Sequence, residues 1–123
     1  HLEYRMSTVK ANDLTNVTGG IPTVKSQRLI PTAWVNFNGS GTVAINDDEG
    51  VSSLTDSGTG AYSVNLSNAM SDTNYCVASS NNDWNATAAA YPESTSKVKV
   101  YVENHNSLSD TSVIGVIVMG GQA

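Results

Sequence analysis

Lys97-Val98-Lys99-Val100-Tyr101-Val102-Glu103 decides the fold class. Val98, Val100 and Val102 fall on one side of an extended chain, and Lys97, Lys99, Tyr101 and Glu103 fall on the other. A helix would scatter the three valines around its axis; a strand lines them up against a core. The same period of two recurs in Ala61-Tyr62-Ser63-Val64-Asn65-Leu66, with Tyr62, Val64 and Leu66 on one face and Ser63 and Asn65 on the other. In Ala33-Trp34-Val35-Asn36-Phe37, Trp34 and Asn36 share one face and Ala33, Val35 and Phe37 the other. Between such runs stand turn formers: Asn38-Gly39-Ser40-Gly41, Asp47-Asp48-Glu49-Gly50 and Asp56-Ser57-Gly58-Thr59-Gly60. Asn38-Gly39 is expected to form a type I′ hairpin turn, because both residues tolerate positive φ.

Outward from these anchors, further strands are expected at 42–45, 51–55, 75–79, 86–91 and 111–119. That makes about eight strands with turn signals every 8–12 residues, the spacing of an antiparallel β-sandwich or barrel-like domain. No segment reads as a helix; 66–71 could form one turn at most. The 123 residues suffice for a single domain. Ser (16), Asn (13), Thr (12) and Gly (10) dominate the composition. Their short side chains compete for backbone hydrogen bonds and disfavour helix interiors, so the composition agrees with the periodicity.

Eleven Asp+Glu against six Lys+Arg give a net charge of −5. Few phosphates could be neutralised by so few cations, which argues against nucleic-acid and anionic-membrane partners. The longest apolar stretch, Val113 to Met119, is too short to span a bilayer, and nothing reads as a secretory leader. Cys76 is the only cysteine, so the chain cannot close a disulfide within itself; inside Tyr75-Cys76-Val77-Ala78 it is expected to be a buried strand residue. The four Asn-x-Ser/Thr sequons, at Asn16, Asn38, Asn65 and Asn85, follow from a composition rich in those residues.

Ala33-Trp34-Val35-Asn36-Phe37-Asn38-Gly39-Ser40-Gly41-Thr42-Val43-Ala44-Ile45 is followed by Val51-Ser52-Ser53-Leu54-Thr55-Asp56-Ser57-Gly58-Thr59-Gly60-Ala61-Tyr62-Ser63-Val64-Asn65-Leu66 and then by Ala69-Met70-Ser71-Asp72-Thr73-Asn74-Tyr75. The string resembles a recurrent module of bacteriophage tail-fibre proteins, in which WVNFNGTGT precedes VSS(I/V)TDNGTGDYTVNF and AMPDANY. The resemblance covers about residues 33–78, and more loosely Ser7-Thr8-Val9-Lys10-Ala11-Asn12, similar to the STLKVN opening of such fibres. Asp47-Asp48-Glu49-Gly50 departs from a more typical segment containing Arg and Phe, and Ser71 stands where Pro is usual. The resemblance implies a virion fibre or related adhesive component, commonly trimeric, made in the bacterial cytoplasm and attaching to a host-surface glycan or protein. The alternative is a purely structural virion component, such as a head decoration or fibre-attachment protein, that binds only other virion proteins.

Recognition is expected in two loops, 80–85 and 104–110, because a rigid sheet positions loops whose sequence can vary at little cost. The receptor-contact candidates are Asn81, Asn82, Asp83, Trp84, Asn85 and His105. Trp84 has no apolar neighbour in sequence, and an aromatic ring flanked by amides suits stacking on a sugar whose hydroxyls the amides bond. Trp34 is the tryptophan expected to be buried. His105 near Ser107, Ser109 and Asp110 is a chance grouping in a serine-rich chain, so no catalysis is expected. Asp47, Asp48 and Glu49 alternate sides along the chain, which reads as a solvated turn and not a metal site. No cofactor is expected.

Residues 1–5 read as an expression remnant ahead of a native start at Met6, residues 6–31 as an N-terminal extended arm, and 32–123 as the β-domain. Within the arm, 7–14 could pair as one short strand. Val9, Leu14, Val17 and Ile21 have too few apolar neighbours to form a core of their own. Together with the apolar strand ending at Met119 they call for partners from outside the chain. Closed cyclic assemblies are common, and the fibre resemblance points to three copies over two.

Overall fold

The computed structural model describes residues 31–121 and, before them, residues 8, 10–13, 15, 17 and 18. The remnant at 1–5 and most of the arm lie outside the described residues; those described within 7–14 are in no strand. The rest is all-β: β1 (Ala33–Asn38), β2 (Ala44–Glu49), β3 (Val51–Gly58), β4 (Ala61–Leu66), β5 (Cys76–Asn81), β6 (Ala86–Pro92), β7 (Lys97–Asn104), β8 (Ser107–Leu108) and β9 (Ile114–Met119). They build two antiparallel sheets, β2-β1-β9-β5 and β3-β4-β7-β6, with the two-residue β8 paired to β7.

The two sheets pack as a sandwich, and the alternation read from the sequence decides what lies between them. Val98, Val100 and Val102 from β7, Tyr62 and Val64 from β4, Phe37 from β1 and Ile114 from β9 are fully buried. Phe37 meets Tyr62 edge-on, ring centroids 5.4 Å apart at 72°, the arrangement ring quadrupoles favour. On one side the sheets are tied by β5 and β6: Ser79 Oγ donates to Ala88 O at 3.0 Å and Asn81 Nδ2 to Ala86 O at 3.2 Å. On the other side the chain passes from β2 to β3 through Gly50 alone, where Ser67 N donates to Gly50 O at 2.9 Å.

Several local expectations are corrected by this packing. Asn38-Gly39 is not a hairpin turn, since neither residue has positive φ. Asn38 ends β1 and its side chain organises the longer 39–43 loop, accepting from Ser40 N and donating to the carbonyls of Ser40 and Thr42. Gly39 is there for close approach: a Cβ would stand 2.6 Å from both the Tyr62 hydroxyl and Ile114 Cδ1. Asp47, Asp48 and Glu49 are not a turn either. They lie in β2 opposite Asn36, Val35 and Trp34, past a bulge between Asn36 and Phe37. Three consecutive acids on an exposed edge strand discourage pairing with another sheet edge. Asp56-Ser57-Gly58 likewise belongs to β3, which leaves Thr59-Gly60 as the turn. Cys76 is exposed: Tyr75 is the buried residue of that pair, its hydroxyl donating to Ser94 O (2.6 Å) and lying 3.0 Å from Lys97 O, so the next residue must point outward.

Candidate functional site

Strand directions sort the loops into two groups. Thr32 sits at one end, where its N donates to Val118 O and its Oγ1 to Gly120 O, both at 2.7 Å. Gly50 and the 67–75 connection lie at that same end, next to the start of β5 and the close of β9. At the opposite end β5 and β7 stop at Asn81 and Asn104, and β6 and β9 begin at Ala86 and Ile114. The two loops singled out in sequence therefore share the end remote from Thr32.

The 82–85 loop is shaped by two successive Asx turns. Asn81 Oδ1 accepts from Asp83 N at 2.8 Å, and Asp83 Oδ1 accepts from Asn85 N at 2.9 Å. Asp83 O then accepts from Ala86 N at 3.0 Å, closing the loop as β6 begins. Asn82 braces it from the side: its N donates to Val113 O at 3.1 Å, its Oδ1 accepts from Val113 N at 3.1 Å, and its Nδ2 donates to Ser112 Oγ at 2.9 Å. A loop bonded at this density is positioned by the sheets and not by a ligand.

Trp84 stands at the apex, 92% exposed. His105 and Asn106 form the β7–β8 turn with φ of 50° and 67°, a left-handed pair of the kind two-residue hairpins need. Asn104, just before that turn, donates from Nδ2 to Asp83 Oδ2 at 3.3 Å, so the His105 turn is tied to the Trp84 loop.

The six candidates thus divide. Asn81, Asn82 and Asp83 have their polar atoms engaged in holding the loop, Asn82 while still exposed, whereas the exposed side chains of Trp84, Asn85 and His105 make no hydrogen bond among the described residues. The sequence carries Asn-Asn-Asp-Trp-Asn as one polar cluster, and only the chain path separates the amides that brace from the side chains that project. Asp110 is exposed but turns its Oδ1 to the fold, accepting from Gly60 N and Tyr62 Oη at 2.8 Å each.

Trp34 is the more buried of the two tryptophans, yet it is still 36% exposed, on the outer face of β1. Its alternation with Val35 is legible; what is not is that no layer of the described residues covers the outer face of this sheet. No protein family, curated protein or solved structure matches the chain.

Proposed function

We propose that the chain is a phage virion attachment module of the tail-fibre type, acting without catalysis and contacting a host-surface glycan or protein through the Trp84 end. The observation that carries this reading is a large aromatic ring held almost wholly in solvent at the apex of a loop that is otherwise fully braced. Burying such a ring on a partner removes much apolar area from water with little loss of conformational freedom, which is why Trp and Tyr anchor interfaces. The fibre-like motif string at 33–78 supports the assignment to a virion, and the location of Thr32 at the opposite end fits a module that presents its tip outward.

The test is Trp84→Ala. The side chain makes no contact that the fold needs, so stability should change by less than about 0.5 kcal/mol. Adsorption of the protein to host cells should fall by at least about tenfold, the loss of one interface anchor. A variant that unfolds, or one that adsorbs as well as the parent, contradicts the assignment. Binding of the parent to purified virion components but to no cell would favour the purely structural role.

The assembly in this reading is a homotrimer. Light scattering at micromolar concentration should then give a mass near three times the 12.9 kDa of one chain. A stable monomer of the full chain contradicts it.

A further inference from the structure

The outer face of the β2-β1-β9-β5 sheet holds two cross-strand rows set by the register. Glu49, Trp34, Ile117 and Ala78 form one, and Asp47, Asn36, Gly115 and Ser80 form the next. Between them runs a groove of about 380 Å³ lined by Trp34, Asn36, Ala78, Ser80, Gly115 and Ile117. That volume lies in the range of small-molecule sites, about 300–1,000 Å³. One row supplies an apolar wall, with Trp34 36% and Ile117 47% exposed. The other adds two polar groups, Asn36 and Ser80, to a groove whose surface is otherwise apolar. Gly115 floors the groove, and a Cβ there would stand 2.6 Å from Ser80 Oγ.

The polar row is unsaturated. Asn36 Oδ1 accepts from Asn46 Nδ2 at 2.9 Å, which fixes the amide and leaves the Asn36 Nδ2 donors without a partner among the described residues. Ser80 Oγ likewise makes no hydrogen bond among them, whereas its neighbour Ser79 is bonded to Ala88 O. A fixed amide donor and a free hydroxyl beside an indole face match a ring that is apolar on its flat side and hydroxylated at its edge. Charge narrows the class. Among the described residues no cation lines the groove, and Asp47 and Glu49 extend the same two rows with negative charge. The two lysines among residues 31–121, Lys97 and Lys99, belong to β7 of the other sheet. The charges described on this face, Asp47 and Glu49, are negative and disfavour an anionic sugar.

We propose that this groove is a binding site for a short neutral saccharide, with a pyranose ring stacked on Trp34 and its hydroxyls on Asn36 Nδ2 and Ser80 Oγ. The site is separate from the Trp84 end and does not depend on that end binding anything. It would let the module hold a glycan along its side as well as at its tip.

Emission of Trp34 tests this directly in a Trp84→Phe background, where it is the only tryptophan. The probes are maltotetraose, cellotetraose, lactose and mannotriose, with sialyllactose as the anionic comparison. The expected result is a saturable emission change with at least one neutral sugar and none with sialyllactose. Ser80→Leu, which fills the groove from an exposed position, should weaken that binding at least about tenfold, and so should Asn36→Ala. Silence with all four neutral sugars overturns the proposal. So does a change that survives Ser80→Leu, or one that follows protein concentration and not sugar, which would make the groove a contact between copies. Because Trp84 is absent from the background, failure here leaves the tip reading standing, and the reverse holds equally.

Discussion

Tyr62→Ala is expected to destabilise the domain by about 3–5 kcal/mol, the range for emptying a buried aromatic site, against a total stability of about 5–15 kcal/mol for a domain of this kind. Tyr62 is fully buried, its ring against Phe37. Its hydroxyl lies 2.7 Å from Gly39 O and 2.8 Å from Asp110 Oδ1, with one proton to serve both acceptors. Three connections of the remote end, 39–43, 59–60 and 109–113, therefore converge on this one side chain. Tyr62→Phe keeps the ring and should cost about 1–3 kcal/mol, since it removes a donor from two part-buried acceptors.

The same residue gives the fold an alkaline limit. Burial first, then the hydrogen bond and charge of Asp110 and the charge of Asp56, hold the phenol well above its ordinary value of 10.0. The folded state therefore keeps a proton that the unfolded chain releases above about pH 10. The associated stability is present in full below that pH and falls as pH rises towards the folded value, by about 1.4 kcal/mol per unit. Tyr75, raised by burial and then by the charge of Glu93, adds to the loss in the same direction. Urea unfolding at a series of alkaline pH values measures the slope. Tyr62→Phe should flatten it, and a parent protein whose stability is level through pH 11, about one unit above the phenol's ordinary value, contradicts the account.

Gly60→Ala is the second change expected to be severe. Gly60 has φ of 64°, and a Cβ there would lie 2.6 Å from Val102 O and 2.7 Å from Ser109 N. Both are backbone atoms that cannot step aside, because Val102 N donates to Gly60 O at 2.8 Å and Ser109 N donates to Val102 O at 3.0 Å. Gly60 N also holds Asp110 at 2.8 Å. Gly41 is the internal control, with φ of 66° and nothing within 4 Å of its would-be Cβ. Gly41→Ala should lose only the left-handed penalty of about 1–2 kcal/mol, and Gly60→Ala should lose distinctly more, on the order of 3 kcal/mol or above. Equal losses measured by urea unfolding would mean that the close approach at Gly60 is not what holds the turn.

Much of this architecture is written locally. The Val98-Val100-Val102 and Tyr62-Val64-Leu66 alternations place those residues in the core as the period of two requires. What local pattern cannot carry is which strand pairs with which. β9 inserts between β1 and β5, and that order fixes the outer rows containing Trp34 and Ile117. Trp34 looked like core material because it is large and apolar, yet Val35 and Phe37 already claim the inward positions of β1. Gly39 reads as a turn residue until the Tyr62 ring, 23 positions away in sequence, is seen to need its missing side chain. Asp47-Asp48-Glu49 reads as a turn because charge clusters usually are, and only the pairing with 34–36 makes it a strand. At the candidate site, the exposure of Trp84 follows from its polar surroundings. The bracing roles of Asn81, Asn82 and Asp83 depend on Ser112, Val113 and Asn104, whose nearness no local pattern announces.

The central claim is attachment through the Trp84 end, and binding of fluorescently labelled protein to a panel of bacterial cells tests it most directly. Parent and Trp84→Ala chains would be compared after confirming equal unfolding midpoints. The account predicts saturable binding of the parent to at least one strain and its loss in the variant. Equal binding by both chains, or binding by neither to any strain, would contradict it.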